Sequence, residues 1–325
     1  MDSLTAKKVW LAPLAGITDK TFRTICKECG ADVVVSEMIS ADGLIYNLNR
    51  SIQYAYFNEE QRPFGIQLFG SEPYIMAKAT EIILEKKPDF IDLNMGCPVK
   101  KVTKRGAGCA LMRTPSKAKK IVLEVKSVLK GTKIPLSIKI RSGWNKNNAI
   151  SFSKILEDAG AEMICIHPRT KIQMFSGNSD WNIIRELKNQ VSIPIIGNGD
   201  IRNALDGKKM FNFTGCNSIM LGRGILGKPW LFTEIKELIL FNKIIHLSYS
   251  EKLNIIEHHF NLDLKDKGEG ISLREMRKHF SYYTKGIKGG AKIRNFINNS
   301  LNSNSIMETI RALFLNEEKI QISIN

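Results

Sequence analysis

The strongest constraint on this chain is an alternation that repeats eight times. Short apolar runs fall at residues 9–11, 33–35, 64–68, 90–93, 134–140, 163–166, 193–196 and 218–221. The intervening stretches, such as 74–86, 116–129, 150–159 and 181–188, are long enough for helices and polar on one side. Continuous apolar strands separated by helices call for a parallel sheet covered by helices, because such strands are buried on both faces. Eight repeats by about residue 225 predict an α/β chain closed into a (β/α)8 TIM barrel rather than an open sheet. The 325 residues hold a barrel of roughly 250 residues plus a smaller unit, and a 43% hydrophobic content supplies the core.

After Pro229 the pattern changes. Residues 230–241, 249–264, 273–284 and 305–316 read as helices with no strand between them, which predicts a C-terminal all-helical domain. The expected division is a catalytic barrel over 1–241 and a helical domain over 242–325. Ser305 followed by Glu308 has the spacing of a capping box and marks a helix start at Ser305. The asparagine-rich run 295–304 reads as a helix-ending turn region.

Lysine and arginine exceed aspartate and glutamate by 48 to 32, a net charge of +16, which makes a polyanion such as nucleic acid a leading partner. No cationic start precedes an apolar run, and residues 231–241 are interrupted by Glu234, Lys236 and Glu237, so neither a signal peptide nor a membrane span is expected. The six cysteines are scattered from Cys26 to Cys216, which disfavours a disulfide framework and points to the cytoplasm. Cys26 and Cys29 have metal-like spacing, but no second cysteine or histidine pair follows at zinc-finger distance, so a buried helix pair is expected and no metal site. His258 and His259 are adjacent and point to different sides of a helix, which disfavours joint ligation. No obligate protein partner is evident.

The unusual residues gather at the C-terminal ends of the predicted strands, the face that carries the active site in this fold. Strand one runs into Ala12-Pro13-Leu14-Ala15-Gly16, strand three into Gln67-Leu68-Phe69-Gly70, and strand four into Asn94-Met95-Gly96-Cys97-Pro98. Strand five runs into Lys139-Ile140-Arg141-Ser142-Gly143-Trp144, and strand six into His167-Pro168-Arg169-Thr170. Strands seven and eight end in Gly197-Asn198-Gly199-Asp200 and Leu221-Gly222-Arg223-Gly224. Glycines let backbone N–H groups approach phosphate oxygens, and Arg223 can add a charge-assisted fork; plain turn glycines are the competing explanation for either loop alone.

In order, these segments resemble the tRNA-dihydrouridine synthase family, and in particular its bacterial B-like branch, over nearly the whole chain. The carrying motifs are residues 12–19, ending Ile17-Thr18-Asp19; 94–98 with Lys100-Lys101-Val102; 139–144; and Ile196-Gly197-Asn198-Gly199-Asp200-Ile201. Arg277-Lys278-His279-Phe280 with Tyr282-Tyr283 is similar to the family's helical RNA-binding domain. The resemblance implies an FMN enzyme that takes a hydride from NADPH and passes it to the C5=C6 bond of a uridine in tRNA.

By matching position, Pro13, Leu14 and Ala15 line the flavin, Gln67 bonds the polar edge of its ring, and Lys139 sits by the N1/C2 region, where a cation stabilises the anionic reduced ring. His167 is implied on the ring or phosphoribityl side, while Asn198, Gly199, Asp200, Gly222 and Arg223 hold the ribityl chain and phosphate. Cys97 is implied as the donor of a proton to C5. A thiol with an ordinary pKa of about 8.5 stays mostly protonated near neutrality, whereas an aspartic acid would already be ionised. Cys97 as a nucleophile needs a nearby base, and Cys97 as a small buried residue needs neither. Asn94 and Arg141 are implied contacts of the uracil and flanking phosphate. One departure from the family pattern is Pro168, where glycine usually follows the histidine.

Residues 93–123 contain no acid but include Lys100, Lys101, Lys104, Arg105, Arg113, Lys117, Lys119 and Lys120, a basic loop suited to closing over a bound nucleotide. A second basic set, Arg274, Arg277, Lys278, Lys285, Lys288, Lys292 and Arg294, lies on the helical domain, with Tyr282 and Tyr283 available for base stacking. A uridine inside folded tRNA must be flipped out to reach a barrel mouth, at a cost of a few kcal/mol that phosphate contacts help offset. Two competing assignments share the scaffold: an FMN-dependent reductase of free pyrimidines or other activated alkenes, and a non-catalytic tRNA-binding protein. A lysine Schiff-base aldolase through Lys139 is a third.

Overall fold

The computed structural model describes residues 2–324, with side chains at 4–318. Its strands are β1 (Val9–Leu11), β2 (Val34–Val35), β3 (Ile39–Ser40), β4 (Phe64–Phe69), β5 (Phe90–Met95), β6 (Leu136–Gly143), β7 (Met163–Thr170), β8 (Ile195–Asn198) and β9 (Ser218–Leu221). All pairings are parallel, in the order β1-β9-β8-β7-β6-β5-β4-β2. A bridge between Trp10 and Val33 closes the ring, with the Leu11 N–H donating to Val33 O at 2.9 Å. The expected barrel is therefore present. The additional strand β3, two residues long, pairs with the end of β4.

Side chains alternate between barrel axis and helix layer. Val9, Leu11, Ile66, Leu68, Ile91 and Leu93 face outward into the main core, whereas Trp10, Phe90, Met163, Cys165, Ile196 and Met220 fill the interior. Gly65 makes room for this filling, because a Cβ there would lie 2.1 Å from the Phe90 ring. The Trp10 indole donates to Leu4 O at 3.0 Å, so the N-terminal segment helps satisfy the interior plug.

The helix Leu231–Phe241 buries Leu231, Phe232 and Ile235 in the barrel's outer core. The helices Tyr249–Lys267, Glu269–Tyr283, Gly290–Asn299 and Ser303–Ile324 follow, and they share a separate cluster that includes Ile256, Phe260, Phe280, Ile310 and Phe314. Two expectations are corrected here. The 295–304 region contains the end of a full helix, because Ile293 and Ile297 lie four residues apart and pack on this cluster despite the asparagines around them. The final helix begins at Ser303 rather than Ser305, because the Asn302 side chain takes the Ser305 N–H at 2.8 Å. Among the described residues no helix is long and apolar enough to cross a membrane.

Candidate active site

Strand parity places Gln67, Asp92, Asn94, Lys139, Arg141, His167 and Asn198 toward the axis, above the apolar interior layer. On one side of the mouth, β4 and β5 carry a chain of amides. Gln67 donates to Asp92 at 2.6 Å, Asn94 donates to Gln67 Oε1 at 2.9 Å, and the Asn94 oxygen accepts the N–H groups of Gly96 at 3.2 Å and Cys97 at 2.9 Å. Burial raises the pKa of Asp92, and the chain anchors the turn that presents Cys97. The Cys97 thiol is half-buried, and burial pushes its pKa up against the opposing effects of the Val99 amide, Arg141 and Lys139. That shift favours the protonated thiol over the thiolate that a nucleophile needs.

On the other side, β6, β7 and the turn after β9 carry cations. Lys139 donates to Asn198 at 3.2 Å, and Asn198 donates to Met220 O at 2.6 Å. Arg141 donates to the carbonyls of Gly96 at 3.1 Å, Thr170 at 2.9 Å and Met174 at 2.7 Å, tying the Cys97 turn to the loop after β7; burial brings its pKa down to about 10. Arg169 is fully buried and grips both Asp200 oxygens at 2.7 and 3.0 Å. Its Nη1 lies 3.0 Å from His167 Nε2. Burial and the charges of Lys139, Arg141, Arg169 and Arg223 push the His167 pKa well below its ordinary value, so the ring is neutral. A guanidinium only donates, so Nε2 is the acceptor and Nδ1 carries the proton.

The remaining candidates fall into place around this frame. Pro13, Leu14 and Ala15 form a partly exposed turn pinned by Thr18 Oγ1, which accepts the Leu14 N–H at 2.9 Å. Gly199 has φ +120, and a Cβ there would meet Ser179 Oγ at 2.3 Å and His167 at 2.8 Å, so glycine is required. Asp200 adopts φ +55 and is held by Arg169 and the Ser179 N–H; its carboxylate thus braces the loop and is kept below its ordinary pKa. At Gly222 a Cβ would meet Ala12 Cβ and Asn198 Nδ2 at 3.9 Å each, an ordinary van der Waals contact. Arg223 is exposed at the rim, 4.3 Å from the Phe175 ring centre. Lys100 and Lys101 are exposed on the short helix after Cys97, while Val102, Cys109, Leu111 and Met112 bury that basic segment into the core.

The helical candidates differ from expectation in two respects. Arg277 donates to Ser300 O at 3.0 Å, so it ties two helices together. Tyr283 is buried, stacked on Trp230 and 3.1 Å from His259, which removes it from any base-stacking surface. The Lys278 charge acts on Glu37, a buried carboxylate that accepts the Gly16 N–H. Cys26 and Cys29 are both buried, as expected. Sequence reasoning gave no role to Arg169, Phe175 or Glu37. The signal for Arg169 was its position two residues beyond His167 on the same strand.

Pro168 lies where β6 and β7 lose register, between the pairs Arg141–His167 and Gly143–Thr170. A residue without an N–H is tolerated at such an irregularity.

Fold and mouth together define a β/α-barrel protein whose mouth sets a group of cations opposite a half-buried thiol. Two solved structures share the fold at 12% identity. Histamine dehydrogenase from Rhizobium sp. 4-9 matches with TM-score 0.54 over 78% of this chain and 49% of its own. A 2-naphthoyl-CoA reductase complex matches with TM-score 0.56 over 71% of this chain and 50% of its own. A profile of the family described as Dihydrouridine synthase (Dus) matches residues 10–318, and the chain belongs to that family. Among its relatives, tRNA-dihydrouridine synthase B of Pasteurella multocida is 38% identical over 90% of this chain and 88% of its own length. A probable tRNA-dihydrouridine synthase of Aquifex aeolicus is 36% identical over 93% and 95%.

Proposed function

We propose that the protein reduces the C5=C6 bond of uridine in tRNA to 5,6-dihydrouridine, with FMN held in the barrel mouth and NADPH as reductant. The observation that carries this reading is the group of four cations, Lys139, Arg141, Arg169 and Arg223, around a neutral His167, with Asp200 as the paired acid. A surplus of partly buried cations is unfavourable until an anion completes it, and a phosphate is suited to complete it. When bound, FMN supplies the hydride that reaches C6.

The chain's own residues supply the rest. Cys97 holds its proton at Sγ near neutral pH, because burial raises its pKa, and delivers that proton to C5. Asn94 fixes the Cys97 turn through two backbone N–H groups, and Gln67 and Asp92 fix Asn94. Arg141 ties the same turn to the opposite side of the mouth through Gly96 O. His167 presents Nδ1–H as a neutral donor on the cofactor side. Lys100 and Lys101, with Arg274, Lys285, Lys288 and Lys292 on the helical region, are exposed cations available to tRNA phosphates.

The test is incubation of the purified protein with FMN, NADPH and an unmodified tRNA transcript, followed by nucleoside mass spectrometry. Dihydrouridine formed only when NADPH and tRNA are both present supports the reading. Reduction of free uridine with intact tRNA left unchanged overturns it.

A further inference from the structure

The densest ion cluster outside the mouth lies where the helical region meets the barrel. Lys267, the last residue of the Tyr249–Lys267 helix, contacts Asp19 and Asp263 at 2.6 Å each and Glu275 at 2.9 Å. Asp19 belongs to the barrel, where it caps the Lys20–Glu28 helix by accepting the Phe22 N–H at 2.9 Å. Thr21 donates to Asp263 at 2.7 Å, and Lys20 pairs with Asp266. Next to these pairs the Phe22 ring packs against His259 and His279, with centroids 5.3 and 4.8 Å away.

What this joint holds is informative. Asp19 ends the segment that begins at Ala12, the turn that lies at the lip of the mouth. The same turn is held at Gly16 by Glu37, which feels the charge of Lys278 from the helical region. The helical region therefore engages the active-site turn directly at its end, through Asp19. An apolar contact would hold two bodies together with little angular definition, whereas one ammonium shared among three carboxylates from two bodies fixes a direction. A substrate that touches both the helical region and the mouth binds as a bivalent ligand, and a fixed angle between the two sites raises the effective concentration of the second contact.

We infer that Lys267 is a positioning residue that sets the angle of the helical region to the barrel mouth and so aligns a bound tRNA with Cys97. The inference rests on the tRNA reading above. Lys267 lies at the joint rather than in the mouth, and it acts through Asp19 and Glu275.

The experiment compares wild type, Lys267→Met and Lys267→Arg as purified full chains. It measures KM and kcat for tRNA, tRNA affinity by filter binding, NADPH-driven flavin reduction without tRNA, and the melting temperature. Lys267→Met is expected to raise KM and Kd for tRNA about ten-fold or more while flavin reduction stays within about two-fold, and Lys267→Arg restores most of the loss. If Lys267→Met fails to fold, Lys267→Met combined with Glu275→Gln removes one charge of each sign and carries the same expectation. Unchanged KM and Kd in a folded variant overturn the inference, as does a parallel loss of flavin reduction. A wild-type protein inert toward tRNA sinks the functional reading instead, so the two failures are distinguishable.

Discussion

The barrel mouth and the joint with the helical region use charge in opposite ways. In the mouth, four cations surround His167, and Asp200 is shared between Arg169 and Arg202. At the joint, three carboxylates share the ammonium of Lys267. Both places contain buried, neutral histidines, but for different reasons. Nearby cations reinforce burial at His167, whereas Asp19 and Asp263 oppose it at His259. A cation surplus marks where an anionic ligand would complete the mouth, whereas at the joint each of the three carboxylates already reaches a cation of the protein itself. The mouth is accordingly read as a binding site and the joint as a fixed hinge angle.

The largest expected effect tests the chemical half of the mouth. Cys97→Ala is expected to lower turnover on tRNA by about 10²- to 10⁴-fold, the range for loss of a general acid, while NADPH still reduces bound flavin at the wild-type rate. A variant that turns over normally would falsify the proton-donor role.

Next in size is an acid response at the joint. The His259 pKa is lowered from 6.5 to about 4 by burial, and His279 shifts in the same direction. As pH falls, the unfolded chain therefore takes up protons before the folded chain does. The stability lost for His259 alone is about 1.4 kcal/mol per pH unit below 6.5, or about 2 kcal/mol at pH 5. The Asp19 carboxyl, held far below the usual carboxylate range beside Lys267, keeps its contribution throughout that window and loses it only in stronger acid. Urea titrations at pH 7 and pH 5 measure this, and equal stabilities would show that the joint histidines are not buried as described.

The smallest effect probes the charge surplus. Arg223→Ala is expected to weaken FMN binding about ten-fold, the worth of one partly exposed charge-assisted contact, with no change in melting temperature of the cofactor-free protein. Arg169→Ala, by contrast, is expected to lower that melting temperature because it removes the buried partner of Asp200 and leaves it the exposed Arg202 and the Ser179 N–H. Equal behaviour of the two variants would erase the distinction between a ligand cation and a structural one.

Much of this architecture was legible because buried parallel strands are apolar on both faces, so runs such as 9–11 and 218–221 stand out and coincide with β1 and β9. β3 was not legible, since two residues make no periodic signal. The strand ends revealed which polar residues share the mouth but not how they pair. Gln67 and Asn94 read as ligand contacts, yet each has both amide ends engaged within the protein, a consequence of β4–β5 register that no motif encodes. Arg169 escaped notice because its role depends on Asp200, 31 residues away and in a left-handed turn. Tyr283 has the composition of an RNA contact and the position of a core residue; only packing against Trp230 distinguishes them. The Lys267 cluster draws its carboxylates from residues 19, 263 and 275, a spacing invisible before folding.

The central claim is most directly tested by mixing. The FMN-loaded protein, reduced anaerobically with stoichiometric NADPH, is mixed with unmodified tRNA while flavin absorbance and dihydrouridine content are followed together. The account predicts that the oxidised flavin spectrum returns as dihydrouridine appears in equal amount. Flavin that stays reduced beside unchanged tRNA, or a protein that takes up no FMN at all, would contradict it.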